Sequence, residues 1–253
     1  MRAIVMAGGF GRRLQPYTKD VPKPLLPLDG TPVLEVILRQ LRSYGFTKVT
    51  LAVHYRAGQI REYFGDGSSL DMTLDYSWAD RPLGTAGPLG LVPRPDQACL
   101  VLNSDLLTTV DFADVLAAHH ARRAMGTVVL CRHSIPIDFG VVDLRADMTV
   151  QAFREKPTQE HWISAGIYAV EPDVWDHIPA GEYLDMPTLI AKGVQRGYAV
   201  AGYLHHGEWL DIGTADQYRR AQEVFRARRR LFLPHDDGTR EPVGSAPTAM
   251  TGP

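Results

Sequence analysis

Residues 1–28, MRAIVMAGGFGRRLQPYTKDVPKPLLPL, decide how this chain is read. Ile4, Val5 and Met6 form a short apolar run that enters a glycine-rich turn at Gly8, Gly9 and Gly11. Glycines let the backbone approach a ligand closely and present successive N–H donors, which suits a phosphate. Arg12 and Arg13 follow at once, and Pro22-Lys23-Pro24 comes ten residues later. Those cations supply the charge a polyphosphate needs. Two better-known phosphate loops do not fit. The P-loop requires G-x-x-x-x-G-K-[ST], and no Lys-Ser or Lys-Thr follows these glycines. The dinucleotide fingerprint requires G-x-G-x-x-G, and the residue three beyond Gly11 is Leu14.

Outward from this turn, strand-like runs alternate with helical periodicity. Thr31-Pro32 reads as an N-cap followed by proline at the first helical position. Val33, Leu34, Ile37, Leu38 and Leu41 recur at helical spacing, and Gly45 is placed to end that helix. Strands are predicted over 49–53, 72–76, 98–102 and 127–131, with helices over 57–64 and from an Asp111 cap through Arg123. This order predicts an α/β fold with a doubly wound, mostly parallel, Rossmann-like sheet and helices on both faces. Beyond about residue 138 short strands come in succession, 140–144, 150–154 and 163–170. A helix over 187–196, a strand over 199–204 and a long helix over 214–231 complete the expectation. Residues 234–253, rich in Pro, Gly, Asp and Thr, read as a disordered tail.

The 253 residues suffice to bury about 70–75% of the unfolded surface, so the core needs no staple. A net charge of −2 argues against nucleic-acid or membrane-surface binding. Anionic ligands must then be held by local clusters. Cys99 and Cys131 lie in separate apolar runs and read as reduced core residues. Met1 leads straight into a strand, and no apolar run reaches the ~18–20 residues of a membrane span. The expectation is a soluble cytoplasmic enzyme with no nucleic-acid or membrane partner.

Ligands of open parallel sheets bind beyond the carboxyl ends of the strands. Gly8–Arg13 follows the first strand, and Asn103-Ser104-Asp105 follows the fourth. Asp105 suits Mg²⁺, which takes oxygen ligands; it suits an Asx turn or N-cap equally well. Gly84-Thr85-Ala86-Gly87-Pro88-Leu89, taken alone, is a loop with a helix entry. In Glu155-Lys156-Pro157, Glu can accept from sugar hydroxyls and Lys can bind a phosphate, but three residues alone read as an exposed turn. Asp211 reads as the cap of the last helix, with Gly213 at the turn. His119-His120 and His205-His206 lack a third ligand at metal spacing and read as surface or packing residues. Arg226, Arg228, Arg229 and Arg230 near a helix end complement its dipole and read as a solvated face. No Ser-His-Asp or Cys-His device is present.

The run Ala7-Gly8-Gly9-Phe10-Gly11-Arg12-Arg13-Leu14-Gln15-Pro16-Tyr17-Thr18, then Pro22-Lys23-Pro24, resembles the A-G-G-x-G-x-R-L-x-P-x-T … P-K-P signature of the sugar-phosphate nucleotidylyltransferases, or nucleotide-sugar pyrophosphorylases. Phe139-Gly140-Val141, Glu155-Lys156-Pro157, Ser164-Ala165-Gly166-Ile167-Tyr168 and Trp209-Leu210-Asp211-Ile212-Gly213-Thr214 resemble later family motifs, in the right order, over about residues 1–225. The resemblance implies one catalytic domain over 1–233, with a nucleotide-binding half to about 137 and an inserted sugar-binding subdomain over about 138–233.

It further implies catalytic roles for Arg13, Lys23, Asp105 and Asp211, with Mg²⁺ on the two aspartates. Nucleotide contacts are implied at Ala7, Gly8, Gly9, Gly11, Arg12, Gly84, Thr85, Ala86 and Asn103. Sugar-phosphate contacts are implied at Gly140, Glu155, Lys156, Ser164, Ala165 and Gly166. Arg12 and Ser164 depart from the usual pattern, which has a small or polar residue and an Asn respectively; a hydroxyl cannot make both amide contacts. The L-G-T-A-G-P-L and L-N-S-D forms are most similar to the branch using GTP, the mannose 1-phosphate and heptose 1-phosphate guanylyltransferases. The short form, without a C-terminal β-helical domain, leans slightly toward heptose or specialised pathways, with an amino-sugar phosphate also open. Alternatives are dTTP, UTP or CTP as donor, a non-catalytic nucleotide-sugar-binding paralogue, and a dinucleotide-binding oxidoreductase, the last disfavoured by the missing third glycine. A homodimer is compatible with the resemblance.

Overall fold

The structure, a computed structural model, describes residues 1–233. Residues 234–253, read as a tail, lie outside the described residues. The chain opens with β1 (Arg2–Ala7), then the two-residue strands β2 (Pro27–Leu28) and β3 (Thr31–Pro32), helix α1 (Val33–Ser43) and β4 (Lys48–Val53). Helix α2 (Ala57–Phe64), β5 (Thr73–Trp78), β6 (Cys99–Asn103), β7 (Leu106–Thr108) and α3 (Phe112–Arg122) follow. The second half holds β8 (Gly126–Pro136), β9 (Val141–Leu144), β10 (Val150–Arg154) and β11 (Thr158–Val170). It ends with α4 (Met186–Gln195), β12 (Val200–His205), β13 (Trp209–Asp211) and α5 (Ala215–Phe232).

Seven strands form one sheet in the order β12-β8-β11-β6-β1-β4-β5. The β12–β8, β6–β1, β1–β4 and β4–β5 pairs are parallel; only β11 is antiparallel to its neighbours β8 and β6. The expected mostly parallel α/β sheet is therefore present. β1 is its hinge of order: β4 and β5 lie to one side and β6 to the other, which creates a crevice at the carboxyl ends of β1 and β6. The chain beyond about residue 138 does not build a separate sheet: its β11 and β12 flank β8 in the central one, while β9 and β10 form an antiparallel hairpin beyond it.

Alternation along β1 divides the core into two layers. Ala3, Val5 and Ala7 face buried residues of α1, α2, α3 and α5; Ile4 faces a second cluster with Met186 and Leu189 of α4. Helices thus cover both faces, four on one side and α4 with 3-10 turns on the other. Gly45 ends α1 as expected: Gly45 N–H donates to Arg42 O and Phe46 N–H to Leu41 O. Asp111 caps α3 through the Asp114 N–H at 2.9 Å.

Two expectations are corrected. Thr31-Pro32 is not a cap and first turn but strand β3, paired with Pro27–Leu28, and Pro32 itself occupies the N-cap of α1. The second concerns Asp211: Thr214 Oγ1, not its carboxylate, accepts the Gln217 N–H and caps α5. The arginines near the end of α5 are exposed at 226, 228 and 230, as a solvated face requires. On that face Arg226 pairs with Asp29 at 3.2 Å and Arg228 with Glu208, while half-buried Arg229 stacks on Phe225 at 5.2 Å and donates to Thr31 Oγ1. His119 is a packing residue, fully buried, with Nδ1 2.9 Å from Thr127 Oγ1. Cys99 and Cys131 are free and buried, and burial pushes the Cys99 thiol up to about 12. No helix among the described residues is long and apolar enough to cross a membrane.

Helix α5 ties the end of the chain to the start, with Tyr218, Ala221, Phe225 and Phe232 buried and Tyr218 OH donating to Pro27 O at 2.7 Å. Replacing Phe225 by Ala should cost about 3–5 kcal/mol in urea unfolding. A loss under about 1 kcal/mol would show that α5 is not part of the cooperative core.

Candidate active site

The crevice beyond β1 and β6 is a cavity of about 430 Å³. One wall is the glycine turn. Gly11 has φ +61°, and a Cβ there would lie 2.8 Å from Thr18 Cγ2, so the turn requires glycine. Gly11 O accepts from Thr18 Oγ1 at 2.8 Å and from Leu14 N–H at 2.9 Å. The N–H groups of Gly9, Phe10 and Gly11 have no protein acceptor among the described residues. Three successive unengaged donors form the kind of concavity that holds a phosphate.

The cations stand at this turn in different ways. Arg12 lies over the Phe10 ring at 5.1 Å, and Phe10 meets His54 edge-on at 5.5 Å, so Arg12 rests on an aromatic shelf at the cleft. Arg13 turns toward the aspartates: a Cβ built on Gly213 would lie 3.4 Å from Arg13 Nη2 and 2.9 Å from Asp211 Oδ2. Lys23, at the start of a 3-10 turn after Pro22, is ion-paired with Asp105 Oδ2.

Asp105 and Asp211 are far apart in the chain but adjacent in space. Strand β13 pairs antiparallel with β7, setting Asp211 opposite Leu106, and Ile212 N–H donates to Asp105 O at 2.9 Å. The Asp211 carboxyl is held above the usual carboxylate range, first by burial and second by the Asp105 charge; Lys23 and Arg13 oppose the shift. Asp105 Oδ1 is buried without a hydrogen-bond partner in the protein. An orphaned carboxylate oxygen beside a second carboxylate fits a hard divalent cation. No group of three or more His, Cys, Asp or Glu side chains among the described residues is placed to hold one. Two carboxylates would leave the other positions of such a cation to waters or ligand oxygens.

The opposite wall comprises Arg81–Thr85, Pro88, Tyr183 and Asp185. Of the residues expected at the nucleotide, Gly8, Gly9, Gly11, Arg12, Gly84, Thr85 and Asn103 line the cleft. The Ala7 and Ala86 side chains instead pack in the two apolar layers. The sugar-motif residues divide into two groups. Gly140 and Glu155 meet at the base of the β9–β10 hairpin, where a Cβ on Gly140 would lie 3.2 Å from Glu155 Oε2; Lys156 beside them is exposed. Ser164, Ala165 and Gly166 lie at a bulge in β11, between the Ser164–Leu130 and Tyr168–Val128 pairs. A Cβ on Gly166 would lie 2.6 Å from Asn103 Nδ2, so the bulge abuts the cleft. Ser164 Oγ lies 2.9 Å from Tyr168 OH, a partner within its own strand.

Sequence reasoning missed Phe10, His54, Arg81, Tyr183 and Asp185. Only Asp185 carried a usable signal, an Asp directly before Met-Pro at a helix entry.

The sequence matches the nucleotidyl transferase family over residues 2–227. It is 36% identical over 230 residues to a mannose-1-phosphate guanylyltransferase of Mycobacterium tuberculosis, covering 86% of this chain and 62% of the relative. It is 31% identical over 241 residues to a UTP–glucose-1-phosphate uridylyltransferase of Synechocystis, covering 87% and 62%. The chain thus spans about 62% of the length of these curated relatives. Among solved structures, a Bacillus anthracis protein assigned as a glucose-1-phosphate thymidylyltransferase superposes with TM-score 0.73 at 24% identity, over 89% of this chain and 95% of that one. HddC from Yersinia pseudotuberculosis superposes with TM-score 0.69 at 19% identity, over 88% and 99%.

The half-buried like-charge pair should burden the free protein. Asp211→Asn should raise stability at pH 7 by about 1 kcal/mol, or about 2–4 °C in Tm. The sign follows from the raised carboxyl: its destabilisation is full above its folded value and fades as pH falls toward the ordinary carboxylate range. Thermal scans without divalent metal at pH 7 and pH 4 check this; a lower Tm for the variant at pH 7 contradicts it.

Proposed function

The chain belongs to the nucleotidyl transferase family, and on that premise we propose that it joins a nucleoside triphosphate, GTP first, to a hexose or heptose 1-phosphate. The observation that carries this reading is the set of two carboxylates and two cations at the sheet crevice, facing a glycine turn with unengaged N–H donors. A phosphate oxygen of the sugar phosphate attacks the α-phosphorus of the triphosphate in line. The bond from the α-phosphorus to the bridging oxygen breaks, and pyrophosphate leaves with that electron pair. Phosphate oxygens are already nucleophilic at neutral pH, so no protein nucleophile or strong base is required. The barrier lies in bringing two polyanions together, so positioning and charge compensation do most of the work.

Each group then has a task. The Gly9, Phe10 and Gly11 N–H donors and Arg13 hold the β and γ phosphates and steady the departing pyrophosphate. Arg12, on its aromatic shelf, adds charge at the cleft mouth. Lys23 leaves Asp105 for the α-phosphate, where negative charge accumulates. Asp105 and Asp211 would hold a magnesium ion, whose charge screens the two phosphates from each other. Glu155 and Lys156 at the hairpin base orient the sugar and its phosphate. GTP is favoured by the mycobacterial guanylyltransferase relative and by the L-G-T-A-G-P-L form of the loop after β5. The uridylyltransferase relative keeps UTP as the second reading.

A pyrophosphate-release screen of GTP, UTP, dTTP, CTP and ATP against hexose and heptose 1-phosphates should give its highest kcat/KM with GTP. Turnover with UTP or dTTP and none with GTP would move the chain to the second reading. With the best pair, Lys23→Ala should lower kcat on the order of 10²–10³-fold in a protein that stays folded. An unchanged kcat would remove Lys23 from the mechanism.

A further inference from the structure

In the cleft wall opposite the glycine turn, the loop over 84–89 is held by residues 182–186, which carry none of the recognised motifs. Leu83 O accepts the Leu184 N–H at 3.0 Å, and Leu184 O accepts from Ala86 N–H at 2.8 Å and Gly87 N–H at 2.9 Å. Asp185 Oδ1 accepts the Thr85 N–H at 3.0 Å and the Thr85 hydroxyl at 3.3 Å, and Thr85 Oγ1 in turn accepts the Met186 N–H at 2.8 Å. Asp185 Oδ2 accepts the Tyr183 hydroxyl at 2.8 Å. The contact is too close for side chains on the loop. A Cβ on Gly84, where φ is +76°, would lie 2.6 Å from Leu184 O and 2.8 Å from Asp185 Oδ1; one on Gly87 would lie 2.4 Å from Glu182 O. The glycines of this loop are therefore explained by its fit to residues 182–185.

We propose that Asp185 is a positioning residue for the nucleotide, holding Thr85 and Tyr183 as one wall of the cleft. The proposal rests on the nucleotidyl-transfer reading above. Thr85, Tyr183 and Asp185 line the same cavity as the glycine turn, so the Asp185 carboxylate joins the two segments of that wall. Three donors converge on it, the Thr85 N–H, the Thr85 hydroxyl and the Tyr183 hydroxyl. An ionised carboxylate is acceptor-only with about four lone-pair sites, whereas an amide has one acceptor oxygen and would turn donors toward a donor. The negative charge also sits at the N-terminus of α4, where the helix dipole favours it. Helix α4 is itself fixed by buried Met186 and Leu189. The loop after β5 is thus held in place by the far half of the chain, about 100 residues on.

The test uses the full chain, the responsive triphosphate and sugar-phosphate pair, and calorimetric binding of the triphosphate alone. Asp185→Ala should raise the triphosphate KM and Kd together by about tenfold, the effect of losing hydrogen bonds to a charged group. The sugar-phosphate KM should stay within about twofold. Asp185→Asn, which keeps one acceptor, should recover part of the loss. Thr85→Val should weaken triphosphate binding in the same direction, and combining it with Asp185→Ala should add little, because both remove one interaction. Thr85→Val serves alone if Asp185→Ala does not fold. Unchanged triphosphate affinity in these variants overturns the proposal, as does an equal rise in both KM values or an additive double variant. A wild-type chain that neither binds a triphosphate nor releases pyrophosphate with any pair overturns both this proposal and the reading it rests on.

Discussion

Two carboxylates that repel each other are held side by side, and the arrangement of the site follows from that constraint. The Ile212 N–H to Asp105 O bond and the β7–β13 ladder bring Asp211 next to Asp105. Two like unit charges 4 Å apart repel by about 4 kcal/mol at an effective dielectric of 20. Lys23 on Asp105 and Arg13 beside Asp211 together supply the opposing charge in the free protein, and both come from the opening segment. The same cations are those a triphosphate requires. On the proposed reading, an incoming phosphate would draw Lys23 from Asp105, and the two aspartates would then be available to hold a divalent cation.

The sheet makes this meeting possible by bringing distant segments to one crevice. The bulge in β11 frees Ala165 O, which accepts the Trp209 indole N–H at 3.0 Å, and the left-handed Gly166 admits the Asn103 side chain. One irregularity in the antiparallel strand thereby links the ends of β6 and β13. Tyr218 of α5 holds Pro27 just beyond the turn that carries Lys23. The fold supplies rigid strand ends, and the chemistry sits on the short segments beyond them.

Much of this was legible in the sequence. Ile4–Met6 before glycines, the helical spacing from Val33 to Leu41, Gly45 and Asp111 each declared its element through local physics that the tertiary structure did not override. The proximity of Asp105 to Asp211 was not legible from either residue alone, because each also suited a helix cap; the family motifs carried it. Asp185 escaped as a cleft residue because its helix-entry signal does not encode its contact with Thr85, 100 residues distant, and Tyr183 is bonded to Asp185 in turn. Thr31-Pro32 was misread because the capping pattern is local, whereas pairing with Pro27–Leu28 depends on the turn between them. The solvated reading of Arg226 and Arg228 agrees with their exposure, but a basic run shows its charge and not the carboxylates of Asp29 and Glu208 that other segments bring to it.

The central claim is direct transfer: charge compensation allows one phosphate to attack another with no nucleotide bound covalently to the protein. Exchange of labelled pyrophosphate into the nucleoside triphosphate tests it most directly. The account predicts exchange only when the sugar 1-phosphate or the nucleotide-sugar is present, because the reverse reaction needs that partner. Exchange with the triphosphate and pyrophosphate alone would reveal a nucleotidyl-protein intermediate and contradict the account.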